Sequence, residues 1–184
     1  MILKKKLSRK SFSIYGFGKT GESVLKFFNK ENINKVSLWD DSTRKRTKSK
    51  FFLGARKFEK ALNKSDYIII SPGVNIKKSK FKNTLIKNSK KIITDLDLFY
   101  ILNPKAKTIV VTGTNGKSTT CKIIEHIFKK KNIDVRVGGN IGRTILNLKV
   151  KSKTWVIIEA SSFHLAYSKF IKPKYAILLN ISKD

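Results

Sequence analysis

The chain has 184 residues, enough for one large domain or two small ones. Its 41 Lys and Arg outnumber 12 Asp and Glu, giving a formal net charge of +29, yet 40% of the residues are hydrophobic, so a packed core is expected. No apolar run is longer than five residues, which excludes a membrane helix, and no apolar segment follows the basic N-terminus, so no signal peptide is predicted. The single Cys121 excludes an intrachain disulfide, and no Cys/His cluster indicates zinc. A cytoplasmic protein is therefore expected.

The positive charge raises the question of a nucleic-acid partner, because Lys and Arg neutralise phosphates. Of the 41 cations, however, 35 are Lys and only 6 are Arg. Base-edge and bidentate phosphate recognition favours the Arg fork. The composition therefore favours a solvated basic surface, with no specific nucleic-acid partner and no membrane insertion. Nucleic-acid binding remains an alternative function.

Short β-rich runs alternate with helical patterns along the whole chain, which predicts βαβ units and mostly parallel sheets. Apolar spacing predicts helices over Glu22–Asn29 and Ser118–Lys130. A linker at Asn103–Pro104 separates two β/α series and predicts domains over 1–102 and 103–184. The predicted strands are Ser11–Tyr15, Lys35–Trp39, Tyr67–Ile70, Lys91–Thr94, Thr108–Thr112, Val135–Val137, Trp155–Glu159 and Tyr175–Asn180.

The first glycine-rich turn is a GxGxxG that runs from Gly16 to Gly21, after a strand and before a helix. This context is typical of nucleotide binding, and the pattern alone suggests NAD as the ligand. Asp40 stands where an acidic group can accept a hydrogen bond from a ribose hydroxyl. The alternative is a turn whose glycines serve packing only. A second turn, from Ser71 to Gly73, is expected at the same edge of the sheet.

The second glycine-rich turn, Gly113-Thr114-Asn115-Gly116-Lys117-Ser118-Thr119, joins a strand to a helix. Backbone N–H groups at such a helix start point at phosphate, and the helix dipole favours its charge. Lys117 can reach the β- and γ-phosphates, and the Ser118 hydroxyl can ligate Mg²⁺. The loop is two residues shorter than GxxxxGK[ST]. It predicts ATP binding.

A carboxylate is expected to hold Mg²⁺ beside this loop. Glu159, at the end of an apolar strand, is predicted to do so, the alternative being a solvated strand-end residue. Ser161 follows and offers a hydroxyl to substrate, whereas His164 is interpreted as structural and His126 as exposed.

Seven motifs in order resemble the Mur ligase family, in its branch that adds D-glutamate to UDP-N-acetylmuramoyl-L-alanine. The motifs are GFGKTG at Gly16, SPGV at Ser71, TDLDLF at Thr94, GTNGKST at Gly113, GGNIG at Gly138, EASSFHL at Glu159 and LNISKD at Leu179. Ser118 fits this branch, while Ala160 and His164 depart mildly from its usual Leu and Gln.

The resemblance implies an α/β fold with an N-terminal Rossmann-like parallel sheet that holds a UDP-sugar, followed by a truncated P-loop-type central ATPase domain. It implies UDP-substrate contacts for Gly16, Phe17, Gly18, Asp40, Ser71, Gly73, Asn140 and Ser161. It implies ATP contacts for Gly113 to Thr119, catalytic roles for Lys117 and Asn140, and Mg²⁺ ligands in Ser118 and Glu159. The implied reaction transfers the γ-phosphoryl group of ATP to the L-alanyl carboxylate, and the amine of D-glutamate then attacks the acyl phosphate.

The most serious departure from the family is length. Family members continue past LNISKD to a His, a carbamylated Lys that holds a second Mg²⁺ and a C-terminal domain for D-glutamate, whereas this sequence ends at Asp184. We therefore expect an N-terminal fragment that is inactive alone and monomeric. The alternative is a non-catalytic nucleotide or UDP-sugar binder.

Overall fold

The computed structural model describes residues 7–46, 49–140 and 142–182. The chain divides into two compact units, residues 1–95 (the first unit) and 96–184 (the second unit). Each unit is built on its own parallel sheet of four strands. The α/β class expected from the alternating pattern is confirmed.

Among its described residues, the first unit has four strands and four α-helices with stated bounds. Its strands are β1 (Phe12–Tyr15), β2 (Val36–Trp39), β3 (Tyr67–Ile70) and β4 (Ile92–Ile93), and its helices are α1 (Lys19–Lys30), α2 (Thr43–Arg46), α3 (Ala55–Lys64) and α4 (Lys82–Lys87). The sheet has the order β2-β1-β3-β4, with Ile14 of β1 in register with Leu38 of β2 and Ile69 of β3. These three side chains are fully buried, as expected for a parallel sheet covered by helices.

The second unit begins with helix α5 (Asp95–Leu102), whose first residue lies at the boundary between the units. Its other elements are β5 (Lys107–Thr112), α6 (Lys117–Lys130), β6 (Val135–Gly139), β7 (Trp155–Glu159), α7 (Ser162–Tyr167) and β8 (Tyr175–Leu178). The sheet has the order β6-β7-β5-β8 and is parallel throughout. One core cluster packs α5 side chains against β5 and β7, and a second packs Cys121 of α6 against the opposite face.

Helix α5 packs in the second unit, although the linker at Asn103–Pro104 led us to expect it in the first domain. Leu96 and Phe99 belong to the core of the second sheet, and the Tyr100 hydroxyl lies 2.7 Å from Thr108 Oγ1. The Asp97 carboxylate also accepts hydrogen bonds from the backbone N–H groups of residues 169 and 170. The compact units therefore meet at residues 95 and 96 rather than at 102 and 103.

All eight predicted strands are present, with ends that differ by at most two residues. The strand expected over Lys91–Thr94 shortens to Ile92–Ile93, and the strand expected to end at Asn180 ends at Leu178. The two predicted helices are each longer at their N-terminus than expected, beginning at Lys19 and Lys117. Among the described residues, no helix is both long and apolar enough to cross a membrane.

Candidate functional site

The loop between β5 and α6 has the form of a phosphate-binding turn. Gly116 caps α6 in the left-handed conformation, with φ of 84°, where a side chain would be strained. Because Gly116 has no side chain, it cannot accept hydrogen bonds from the helix N–H groups. The N–H groups in the first turn of a helix also have no acceptor within the helix. The first turn of α6 therefore offers N–H donors and the positive end of the helix dipole to an anion.

Lys117 lies across this loop. Its ammonium donates hydrogen bonds to the carbonyl oxygens of Gly113 and Thr114, each at 2.6 Å. The positive charge of Lys117 is thereby fixed at the loop that precedes α6. The side chain is half-buried. Thr119 lies in the first turn of α6 and is exposed, so its hydroxyl is accessible to a ligand.

Asn180 braces the other side of the loop, a role that sequence reasoning missed. Its side-chain oxygen accepts from the N–H of Asn115 at 2.9 Å, and its amide donates to the Asn115 carbonyl at 3.1 Å. The Asn180 carbonyl accepts from the N–H of Thr114. The N–H groups of Thr114 and Asn115 are thus already paired, which leaves the N–H groups at the N-terminus of α6 for a phosphate. The sequence signal for this contact was the position of Asn180 at the end of a predicted strand, because neighbouring parallel strands end at the same edge of a sheet.

Glu159 brings together the residues expected around a metal. Its carboxylate, on a residue only 2% exposed, accepts from Ser118 Oγ at 2.8 Å and from the Asn140 amide at 3.4 Å. The N–H of Asn140 also donates to the Glu159 carbonyl at 2.9 Å. The structure therefore joins the ends of β6 and β7 to the start of α6 at one point.

These donors are hard oxygens, which suit Mg²⁺. That ion keeps several waters and typically takes one or two protein carboxylates together with substrate phosphates. Within the described ranges, no cluster of three or more His, Cys, Asp or Glu forms a closed metal cage. Ser118 and Glu159 thus fit an ion shared with a phosphate ligand better than a structural metal.

Cys121 is one turn beyond Ser118 and is fully buried. Burial, with a smaller contribution from the Glu159 charge, raises the pKa of its thiol to about 12. A thiol that stays protonated is a poor nucleophile, so Cys121 serves the core.

Ser161, predicted to contact substrate, caps α7 in the structure. Its hydroxyl accepts from the N–H of His164 at 3.2 Å and lies 3.3 Å from the Nδ1 atom of the same imidazole. His164 is 1% exposed, which agrees with the structural role expected for it. Ser161 lies two residues after Glu159, at the same edge of the sheet.

The first glycine-rich turn gathers four predicted residues at the carboxyl edge of the first sheet. Gly16 adopts φ of 95°, and its carbonyl accepts from Ser71 Oγ at 2.8 Å. The Asp40 carboxylate accepts from the N–H of Phe17 at 2.6 Å and from the N–H of Ser42 at 2.8 Å. Asp40 thus has both oxygens engaged with backbone and fixes the shape of the turn.

Gly18, in this turn, and Gly73, in the turn after β3, both border open space, because a Cβ built at either position meets nothing within 4 Å. Phe17 is buried, with its ring centroid 5.1 Å from that of Phe52. A ligand can therefore approach the backbone at the two open glycines.

Asp41 is a further polar centre that the motif did not indicate. It accepts from the Tyr15 hydroxyl at 2.7 Å and from the Trp39 indole at 3.0 Å. The Arg46 guanidinium and the Lys80 ammonium each lie 3.9 Å from the centroid of the Trp39 ring. Burial raises the pKa of Tyr15, so its hydroxyl stays protonated and donates. These contacts stiffen the chain that follows β2.

The chain is similar to known proteins over most of its length. Residues 10–94 match the family described as Mur ligase MurD-like, N-terminal domain, and residues 111–184 match the Mur ligase middle domain. The UDP-N-acetylmuramoylalanine–D-glutamate ligase of Buchnera aphidicola subsp. Acyrthosiphon pisum (strain APS) is 39% identical over 95% of this chain. The enzyme of the same name from Rickettsia prowazekii (strain Madrid E) is 36% identical over 96%. The chain spans about 40% of the length of both relatives.

A solved structure shows the same fold. The UDP-N-acetylmuramate:L-alanyl-gamma-D-glutamyl-meso-diaminopimelate ligase from Neisseria meningitides superimposes with a TM-score of 0.52 at 18% identity. The superposition covers 95% of this chain and 61% of that protein.

Proposed function

The chain belongs to the Mur ligase family, and on that premise we propose that it is the substrate- and nucleotide-binding part of a ligase that adds D-glutamate to UDP-N-acetylmuramoyl-L-alanine. ATP and Mg²⁺ are the proposed co-substrate and metal. We place the reaction in peptidoglycan precursor synthesis in the cytoplasm. We also propose that the chain is a monomer.

The observation that carries the proposal is the convergence of Lys117, Ser118 and Glu159 at one helix start. A lysine across a glycine loop supplies positive charge to phosphate oxygens, and a hydroxyl paired with a carboxylate supplies oxygen ligands to a divalent ion. When bound, Mg²⁺ would offset the charge on the phosphate oxygens and hold them in position. Gly113 to Gly116 shape the loop, and the first-turn N–H groups of α6 hold the phosphates.

The proposed chemistry needs an activated carboxylate, because a carboxylate is a poor acyl donor at neutral pH. One oxygen of the L-alanyl carboxylate attacks the γ-phosphorus of ATP, the bond to the bridging oxygen breaks, and ADP leaves. The amine of D-glutamate then attacks the acyl carbon, loses a proton and releases inorganic phosphate, which leaves an amide. Lys117 stabilises the charge that gathers on the transferring group. Asn140, bonded to Glu159, is proposed to orient the substrate at this point.

The first unit is proposed to bind the UDP part of the substrate. Gly16, Phe17 and Gly18 offer backbone to the diphosphate, and the open space at Gly18 and Gly73 supports a close approach. Asp40 and Ser71 support the role indirectly, since their side chains hold the turn through Phe17 N–H and the Gly16 carbonyl. Ser161 of the second unit is proposed to reach substrate through the hydroxyl that also caps α7.

The 184-residue chain itself is proposed to bind both ligands without forming the amide. The family resemblance assigns a His, a second-metal Lys and the D-glutamate domain to positions after 184, and the chain spans about 40% of its relatives. A purely binding protein for nucleotide or UDP-sugar is the alternative. Amide formation by these 184 residues alone, with D-glutamate and ATP supplied, would refute the proposal of a non-catalytic portion.

Nucleotide binding is tested by calorimetric titration of Mg·ATP into the wild-type chain and into Lys117→Ala. Loss of a charged hydrogen-bonding partner is worth about 1.5–3 kcal/mol, so we expect binding to weaken at least roughly tenfold. Lys130→Ala removes an exposed cation from the last turn of the same helix and serves as the matched control, with unchanged affinity. Equal weakening in both variants would mean that overall charge, rather than the loop, binds ATP.

A further inference from the structure

A cleft of about 730 Å³ runs between α6 and β6 in the second unit. It begins at Ser118 and continues along the helix, away from the loop that holds Lys117. Its charged lining residues are Lys122, Glu125, Lys129, Arg136 and Arg143. Four cations thus face one carboxylate.

The cations of the cleft differ in how they are neutralised. Lys129 pairs with Glu125 at 2.6 Å, and Arg136 pairs with Asp134 at 2.5 Å. Lys122 and Arg143 are exposed and form no ion pair with any residue in the described ranges. Because the acidic side chains are already used, an anion entering the cleft meets two unneutralised charges.

The cleft is elongated rather than centred on one point. Lys122 and Lys129 lie seven residues apart on α6, and a rise of 1.5 Å per residue separates them by about 10 Å along the helix axis. The two lysines of the cleft are thus spread along about two turns of the helix rather than gathered around a single phosphate position. A chain of linked phosphates can contact cations spaced in this way, and Lys and Arg both bind phosphate oxygens.

We propose that this cleft binds a linear chain of phosphate groups. The ligand is recognised through its charge and spacing and not through bases. The described lining residues include four cations and several aliphatic side chains but no aromatic ring on which a base could stack. Inorganic polyphosphate and the backbone of single-stranded nucleic acid share this chemistry. The site goes beyond the proposed ligase function and shares only Ser118 with the proposed nucleotide and metal site.

The test must separate the cleft from the general positive charge of the chain. The variant Lys122→Glu/Arg143→Glu reverses the two unneutralised cations. Lys153→Glu/Lys172→Glu is the matched control, since it changes the net charge of the same unit equally at two exposed positions outside the cleft. Fluorescence anisotropy of a labelled oligothymidine of roughly 15 nucleotides measures binding, and inorganic polyphosphate serves as the competitor.

We expect the cleft variant to bind at least about tenfold more weakly at physiological salt, and the control to change less than about twofold. Removal of two phosphate contacts lowers the slope of log affinity against log salt by about 1.4, at roughly 0.7 per contact for a single strand. Polyphosphate is expected to displace the oligonucleotide. Thermal melting of both variants checks folding, and Lys122→Gln/Arg143→Gln provides a milder change with the same expected direction.

Three results would overturn the proposal. Equal losses in the cleft and control variants would assign binding to diffuse charge. Failure of polyphosphate to compete would show that sugars or bases, not phosphates, are recognised. Displacement of the probe by Mg·ATP, together with an equal loss in Lys117→Ala, would make the cleft part of the nucleotide site, whose own titration is measured separately.

Discussion

Replacement of Gly21 by alanine should destabilise the first unit, against the direction that helix propensity gives. Gly21 is the third residue of α1, where alanine is ordinarily favoured by up to about 1 kcal/mol. A Cβ built at Gly21, however, would lie 2.1 Å from the carbonyl oxygen of Gly16 and 3.5 Å from Ser71 Oγ. The backbone of the first glycine-rich turn would have to move.

The size of the effect follows from two terms. Overpacking of a well-packed site costs about 1–3 kcal/mol, and loss of the Ser71–Gly16 hydrogen bond costs about 1 kcal/mol. After subtracting the propensity gain, we expect Gly21→Ala to lose about 1–3 kcal/mol. Gly73→Ala, where a Cβ meets nothing within 4 Å, is the control and should change stability by less than about 0.5 kcal/mol.

Tryptophan fluorescence can follow this unit alone. The chain has two tryptophans, Trp39 in the first unit and Trp155 in the second. Urea unfolding in a Trp155→Phe background therefore reports on Trp39. Unchanged or increased stability of Gly21→Ala would refute the packing argument.

Three further predictions concern other parts of the chain. Cys121, buried with a thiol pKa of about 12, should resist thiol reagents at pH 8 until the chain unfolds, and rapid native-state labelling would contradict this. Asp66→Asn should reduce stability at neutral pH, because hydrogen bonds, first from Lys10, lower the pKa of the Asp66 carboxyl to about 2. The stabilisation is fully present above the pKa of the unfolded chain, near 3.8, and disappears as the pH falls toward 2. The melting temperatures of variant and wild type should therefore converge near pH 2. Asn180→Ala should speed amide hydrogen exchange at Thr114 and Asn115, and unchanged rates would show that Asn180 does not brace the loop.

The strands could be predicted because each is a short apolar run before a turn signal. Helix α3 shows why some helices could not. It buries only Phe58 and Leu62 among many charged residues, so its apolar face is too sparse to stand out in the sequence. Helix α5 is apolar on nearly all sides, and its sequence does not reveal which sheet it covers; the contacts of Asp97 decide that.

The site was predictable where its chemistry lies in one continuous motif. Gly116, Lys117 and Ser118 are adjacent in sequence, and Glu159 ends a clear strand, so their meeting follows from parallel strands that share a carboxyl edge. Asn180 and Asp41 act across long sequence separations, Asn180 by accepting from the N–H of Asn115 and Asp41 by accepting from the Tyr15 hydroxyl. Only the folded chain brings those partners together.

The most direct test of the account is a calorimetric titration of UDP-N-acetylmuramoyl-L-alanine into the 184-residue chain, with NAD as competitor. The first glycine-rich turn alone is compatible with either ligand, whereas the proposed ligase function requires the UDP-sugar. We predict saturable binding at one site per chain that excess NAD does not displace. Binding of NAD in preference to the UDP-sugar would contradict the account.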